Sequence, residues 1–243
     1  LDFVLIRESI EGLFASRGKG TLEDDQIATD TLVITRDISE KLFDFSFNLA
    51  RKRKDKGHRG NVTCVDKANV FRSFAFFRSI FDERAALNKD LGADYAYVDA
   101  TALNMVRGPW AFDVLVTENM FGDILSDLGA GLIGGMGMAP SADIGDNHAV
   151  FQPCHGTAPD IVGTGKANPT AMILSAAMML EWLGDVKSNE ACSRAADLIV
   201  TAVDRAFESG DLVPFELGGD AGTDAIFKAV YTAFDGLQAN QET

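Results

Sequence analysis

Thr117-Glu118-Asn119-Met120-Phe121-Gly122-Asp123-Ile124-Leu125-Ser126-Asp127-Leu128 is the stretch whose reading decides the fold. It follows Phe112-Asp113-Val114-Leu115-Val116, an apolar run that predicts a buried strand. Met120, Phe121, Ile124, Leu125 and Leu128 recur at helical spacing, so a strand feeds directly into a helix. Asp123 and Asp127 are then one helical turn apart on one face. Two such carboxylates repel each other, and among apolar neighbours they need a counter-charge. A hard divalent cation, which takes oxygen ligands, meets that need. Two ordinary surface aspartates are the alternative.

Outward from this stretch the same alternation repeats. Strands are predicted at 3–6, 27–34, 61–65, 93–98 and 150–151. Helices are predicted at 37–54, 69–83, 100–107, 171–183, 189–209 and 223–237, the last with Thr223 as N-cap. Strands alternating with helices, and polar residues gathered at strand ends, predict an α/β architecture: a central sheet flanked by helices. Ligands of such sheets bind beyond the carboxyl ends of the strands. Asp99, at one strand end, becomes a third candidate oxygen ligand. Arg7, at another, suits a carboxylate through its planar fork, or else forms a structural salt bridge. Lys67 lies between Asp66 and Asn69 at a third strand end; desolvated it would serve as a base, and exposed it would be an ordinary surface lysine.

Glycines punctuate the loop 11–20 and the segment 131–145, which reads as a flexible crossing between a first domain, 1–145, and a second, 146–243. The loop Pro153-Cys154-His155-Gly156-Thr157-Ala158-Pro159-Asp160-Ile161-Val162-Gly163 has the glycines and small residues to wrap a phosphate or nucleotide through backbone amides. It lacks the G-x-G-x-x-G spacing, and 163–166 lacks that of a P-loop. His155 alone fits a hydrogen-bonded structural histidine, while Asp160 suits ribose hydroxyls. Helix 171–183 is apolar nearly all round and should be buried, with Met178 and Met179 as filler. The phenylalanines Phe71, Phe74, Phe77 and Phe81 form a stripe suited to a core or a subunit interface. Residues 238–243 read as a frayed polar tail.

Composition narrows the function classes. At 47% hydrophobic and 24% charged residues, the 243-residue chain is ordinary globular material. Its net charge of −14 argues against nucleic acid and anionic membrane as partners. The basic run Arg51-Lys52-Arg53-Lys54 fits a solvated helix C-terminus, where cations complement the dipole. Cys64, Cys154 and Cys192, scattered and odd in number, imply a reducing compartment such as the cytoplasm and no disulfide framework. The chain opens in mid-strand, as a fragment or a numbering that omits preceding residues would.

Taken together, Arg7-Glu8, Val65-Asp66-Lys67-Ala68-Asn69-Val70, Tyr97-Val98-Asp99-Ala100, the 119–127 stretch, and His155 to Ile161 followed by Ala167-Asn168-Pro169-Thr170 resemble the β-decarboxylating dehydrogenases. That family comprises isopropylmalate, isocitrate, homoisocitrate and tartrate or D-malate dehydrogenases. The motifs from Val65 to Val70, the aspartate helix and the long loop look closest to the isopropylmalate branch; Ile10-Glu11-Gly12 looks closer to the isocitrate and tartrate branches. The resemblance implies an NAD-dependent oxidative decarboxylase of a 2-hydroxy acid, first of all 3-isopropylmalate. It implies Mg²⁺ or Mn²⁺ on Asp99, Asp123 and Asp127. It gives the substrate to Arg7 and Asn69, the hydroxyl proton to Lys67, and the adenosine side of the cofactor to His155, Gly156, Thr157, Ala158, Asp160 and Asn168. It implies a homodimer in which Lys67 and Asp99 reach the other subunit's site, with 1–145 as the smaller dimerisation domain and 146–243 as part of the nucleotide-binding domain. Two departures stand out. Phe14 sits where the family places a catalytic tyrosine, so the final protonation lacks its usual donor, and Ser16 or an ordered water is left as a substitute. The family's opening segment, with its specificity residues, is absent before Leu1.

Overall fold

In the computed structural model, which describes residues 1–239, the apolar runs pair into a parallel sheet. The elements are β1 (Val4–Arg7), β2 (Thr21–Glu23), β3 (Ile27–Thr29), α1 (Arg36–Asp55), β4 (Asn61–Asp66), α2 (Arg72–Ala85), β5 (Gly92–Tyr97), α3 (Val98–Arg107), β6 (Val114–Thr117), α4 (Asn119–Leu132), β7 (Pro140–Ile144), β8 (Ala149–Pro153), α5 (Thr170–Lys187), α6 (Glu190–Phe207) and α7 (Thr223–Ala239). Two compact units result, the first Leu1–Gly129 and the second beginning at Ala130. The division falls just ahead of the glycine-rich 131–145 segment.

In the first unit the strand order is β1-β6-β4-β5, parallel throughout. Side chains alternate along each strand. Ile6, Val62, Cys64, Val114 and Val116 pack with Phe43 and Phe47 of α1 and Phe77, Ile80 and Phe81 of α2. The rings interlock, Phe43 on Phe77 at 4.6 Å and Phe47 on Phe81 at 5.5 Å between centroids. Each buried phenylalanine contributes about 1.5–3 kcal/mol of apolar transfer. Val65 and Leu115, pointing the other way, are also fully buried. Burial on both faces is why these strands read as continuous apolar runs. The phenylalanine stripe is interior from Phe74 onward, whereas Phe71 is exposed.

The amino-terminal rim of the sheet is tied by charge. Asp113, 2% exposed, accepts from Arg53 Nε at 2.6 Å and from the amides of Gly60 at 2.7 Å and Asn61 at 3.1 Å. Arg53 also reaches Asp2 at 3.0 Å. Burial alone would push the Asp113 carboxyl up, but the Arg53 guanidinium and the two amides hold it below the usual carboxylate range. The basic run is therefore only partly a solvated face: Arg53 is an internal tie, while Arg51 pairs with Asp90 near the surface.

Several expectations change. The strand predicted at 27–34 shrinks to β3, paired antiparallel with β2 in an exposed hairpin. The helix predicted from 69 starts at Arg72, because Val70 and Phe71 donate to the Lys67 carbonyl in a turn. The 131–145 segment holds a 3-10 turn, Met136–Met138, and all of β7, whose Pro140 takes the strand's first position.

The second unit is a β7–β8 hairpin packed on α5, with α6 and α7 layered beyond. The Ser175 hydroxyl lies within hydrogen-bonding distance of the Gln152 and Ala171 carbonyls and accepts from Ser141 N, tying α5 to the hairpin. Gly184 lets α6 come close, since a Cβ there would meet Ser193 N at 3.1 Å and its hydroxyl nearer still. Ala202, Val203 and Val230 centre the core. Helix α5 is not buried all round: its small residues are, while Met172, Met179 and Val186 are exposed. Thr223 is the first residue of α7 rather than its cap, and its hydroxyl donates to the Ala167 carbonyl at 2.5 Å. The helix continues through Ala239 where the polar tail was expected; 240–243 lie outside the described residues.

Candidate active site

The carboxyl ends of β1, β4 and β5 deliver Arg7, Asp66-Lys67 and Tyr97-Val98-Asp99 to one rim of the sheet, and β6 delivers the start of α4 to the same rim. Two groupings form there.

In the first, Arg7 crosses α4. Its Nε donates to Asn119 Oδ1 at 2.9 Å and its Nη1 to Asp123 Oδ1 at 2.5 Å, while Cζ lies 5.6 Å from the Phe14 ring centroid. Gly122 makes the crossing possible, because a Cβ there would lie 2.6 Å from Arg7 Cγ and 2.7 Å from its Cβ. The counter-charge that Asp123 required is thus Arg7. Asp127, one turn on, is exposed like Asp123.

Buried carboxylates hold the loop that carries Phe14. Glu118, 1% exposed, accepts from Leu13 N at 3.2 Å and Phe121 N at 3.3 Å. Asn119 Nδ2 donates to the Glu11 carbonyl at 3.1 Å. Glu8 accepts from the amides of Ile10 and Glu11, and burial pushes its carboxyl above the ordinary range. Gly12 has φ of +75°, and a Cβ on it would lie 2.9 Å from Glu118 Cδ and closer to Oε1. Only glycine satisfies both demands.

In the second grouping Lys67 pairs with Asp99. Lys67 is a quarter exposed and Asp99 is open to solvent, in the first turn of α3, where a carboxylate suits the helix dipole. The Lys67 ammonium holds the Asp99 carboxyl below its usual range. Asn69 is exposed in the turn before α2.

Among the described residues no three His, Cys, Asp or Glu side chains cluster as a metal site. Asp99 therefore does not join Asp123 and Asp127 within one protomer. The Asp123 and Asp127 carboxylates, exposed and a turn apart, fit a hard cation as part of a ligand set, not as a whole one.

In the second unit, His155, Gly156, Thr157, Ala158 and Asp160 lie on an exposed loop. The Nδ1 of His155 lies 2.8 Å from the Gly156 carbonyl oxygen. Ala158 adopts φ of 41° before the 3-10 turn Pro159–Ile161, a left-handed conformation that costs a non-glycine residue about 1–2 kcal/mol. Such strain concentrates at ligand clamps. Asn168 is more committed than expected: Nδ2 donates to Glu216 Oε1 at 2.8 Å and approaches Met138 Sδ, and Oδ1 accepts from Thr170 N. That leaves Oδ1 one further lone pair with which to accept. Glu216 carried no sequence signal of its own, nor did Glu118 and Gly122 beyond adjoining the aspartates.

The comparisons with known proteins bear on the family and the fold. The family model described as isocitrate/isopropylmalate dehydrogenase matches residues 1–230. A 3-isopropylmalate/3-methylmalate dehydrogenase of Methanocaldococcus jannaschii is 45% identical over 224 residues, covering 92% of this chain and 64% of its own. A homoisocitrate dehydrogenase of the same organism is 44% identical, with 92% and 60% covered. The crystal structure of isocitrate dehydrogenase from Methylococcus capsulatus superposes with a TM-score of 0.82 at 40% identity, over 96% of this chain and 67% of that one. The chain thus spans about 60% of the length of these two curated relatives. The sheet, its charged rim and these matches together make this chain a member of the isocitrate/isopropylmalate dehydrogenase family.

Proposed function

We propose that the chain carries the metal, substrate and nucleotide residues of an NAD-dependent, Mg²⁺- or Mn²⁺-dependent enzyme that oxidises and decarboxylates a 3-substituted malate. The first candidate is 3-isopropylmalate, with isocitrate, tartrate and D-malate as rivals. The observation that carries it is the single rim where Arg7, Asp123 and Asp127 meet one ligand need and Lys67 with Asp99 another. The relatives' names, on 3-isopropylmalate, 3-methylmalate and homoisocitrate, share that substrate class.

Arg7 spends two donors on Asn119 and Asp123 and keeps further N–H groups for a substrate carboxylate. Asn69 lies exposed one turn from Lys67 to contact the same substrate. Lys67, in its neutral form, takes the hydroxyl proton. Bound NAD supplies the hydride acceptor, and the bound divalent ion supplies Lewis acidity. Asp160 accepts from ribose hydroxyls and repels a 2′-phosphate, which favours NAD over NADP. His155 and the 156–158 backbone flank the adenosine. On the family resemblance, Lys67 and Asp99 serve the site of a second copy in a homodimer. The acidic chain takes no nucleic acid or membrane as partner, and among the described residues no helix is long and apolar enough to cross a membrane. A reducing, cytoplasmic setting suits its cysteines.

A second reading is a noncatalytic homologue that completes a partner's site, and Phe14 favours it: the ring beside Arg7 has no proton to give. The test is NADH formation by the intact protein with Mn²⁺ across the four acids, with CO₂ followed in parallel. Matched NADH and CO₂ from one acid supports the enzyme and names its substrate. Silence on all four, with Mn²⁺ and NAD still binding, supports the noncatalytic reading.

A further inference from the structure

Lys67 is aimed by groups that the reaction itself does not use. Asp66, its neighbour at the end of β4, is fully buried and paired bidentately with Arg78 of α2: Nε to Oδ2 and Nη2 to Oδ1, both at 2.7 Å. The same carboxylate accepts from Ala68 N at 2.8 Å, so Asp66 grips the backbone on the far side of Lys67. The register of β4 and β5 sets Asp66 beside Tyr97 and Cys64 beside Tyr95. Arg78 lies over the Tyr95 ring at 4.0 Å and 5.2 Å from the Tyr97 centroid. The Lys67 ammonium sits 5.7 Å from that same Tyr97 ring. One ring therefore meets two cations, one fixed by a buried carboxylate and one paired with the exposed Asp99 at the end of a flexible stem.

We propose that Arg78 and Tyr97 are positioning residues for Lys67: the Asp66–Arg78 pair fixes the turn from which Lys67 departs, and the Tyr97 face holds its ammonium toward Asp99. The inference rests on the reading of Lys67 as the base, but its geometric half stands alone.

Two readouts on the intact protein separate these halves. The lysines are reductively methylated with ¹³C-formaldehyde, and the Lys67 dimethyl resonance is identified by its loss in Lys67→Gln. It should lie upfield of the exposed lysines through the ring current, stay there in Tyr97→Phe, and join the exposed lysines in Tyr97→Leu. A wild-type resonance already at the exposed position would overturn the proposal. Arg78→Lys, which cannot form the fork, should move the same resonance; if the unpaired Asp66 unfolds that variant, the Tyr97 pair carries the test.

In turnover, Tyr97→Leu should lower kcat by about tenfold to a hundredfold, as a misplacement near 1 Å does, with KM for acid and NAD within about twofold. Tyr97→Phe should keep kcat within about twofold. In a Lys67→Gln background Tyr97→Leu should cost nothing more, because both act through one group. Equal losses in both backgrounds would overturn positioning. A Lys67 resonance that behaves as stated, beside full turnover by Lys67→Gln, would uphold the positioning and remove the base assignment instead.

Discussion

Substituting Gly12 by alanine tests the packing beneath the candidate site. Two costs add. Alanine at φ of +75° pays about 1–2 kcal/mol for the left-handed conformation. Its Cβ also falls where the Glu118 carboxylate sits, within 2.9 Å of Cδ and 3.1 Å of Asn119 Cβ. Glu118 must rotate, giving up one of its two bonds, from Leu13 N or from Phe121 N. Hydrogen bonds to a charged group contribute about 1.5–3 kcal/mol each, and retaining one of the two brings the total near 3–5 kcal/mol. With a urea slope of about 2 kcal/mol/M the midpoint should fall by about 2 M. The chain has two tryptophans, Trp110 in the first unit and Trp182 in the second, so Trp110 fluorescence in a Trp182→Phe background reports the relevant unit. In a Glu118→Ala background the same substitution should cost only its conformational share, about 1–2 kcal/mol. A midpoint shift below about 0.5 M, or an equal shift in both backgrounds, would refute the argument.

Other outcomes follow from the charge pairs. Asp113→Ala leaves Arg53 and two amides without their buried acceptor, and should cost about 3–5 kcal/mol by denaturant titration. The Asp113 carboxyl sits below its unfolded range when folded, so its contribution is present above the unfolded pKa and lost as pH falls through the folded one; Asp113→Asn should flatten that acid limb. Lys67→Met should move the Asp99 carboxyl upward, read by carboxyl ¹³C titration, and an unmoved midpoint would deny the pairing. Phe14→Tyr should raise the steady-state rates of NADH and CO₂ formation together if the final protonation limits the wild type, because both are released before that step, and unchanged turnover would clear Phe14 of that role.

The sheet and the rim were legible because burial on both faces writes β4 and β6 as largely apolar runs, and because the candidate site residues follow the strand ends directly. Arg7, Lys67 and Asp99 each stand at or just past a strand end, and local pattern was enough to find them. The partners were not legible. Nothing local in Arg7 or Asp123 says that they meet across more than a hundred residues of sequence, or that Gly122 is there to let them. The β2–β3 hairpin was misread because exposed strands show no burial alternation. Helix α5 was misread as buried because an apolar sequence does not say what covers it. The 153–163 loop could be located by its glycines, yet the hold of Glu216 on Asn168 joins segments with no shared pattern.

The two rims of the sheet divide labour. Asp2, Arg53, Gly60, Asn61 and Asp113 knot the amino-terminal rim, whereas the candidate catalytic groups stand at the other. A foundation at one end leaves the working end free to drift. Exchange of the exposed Phe14 and Asn69 side chains is then absorbed without threatening the fold, and the candidate site can vary while the knot stays unchanged. A survey of random variants should show intolerance concentrated at the knot and the buried Glu118 latch, with tolerance widest among the exposed side chains of the working rim.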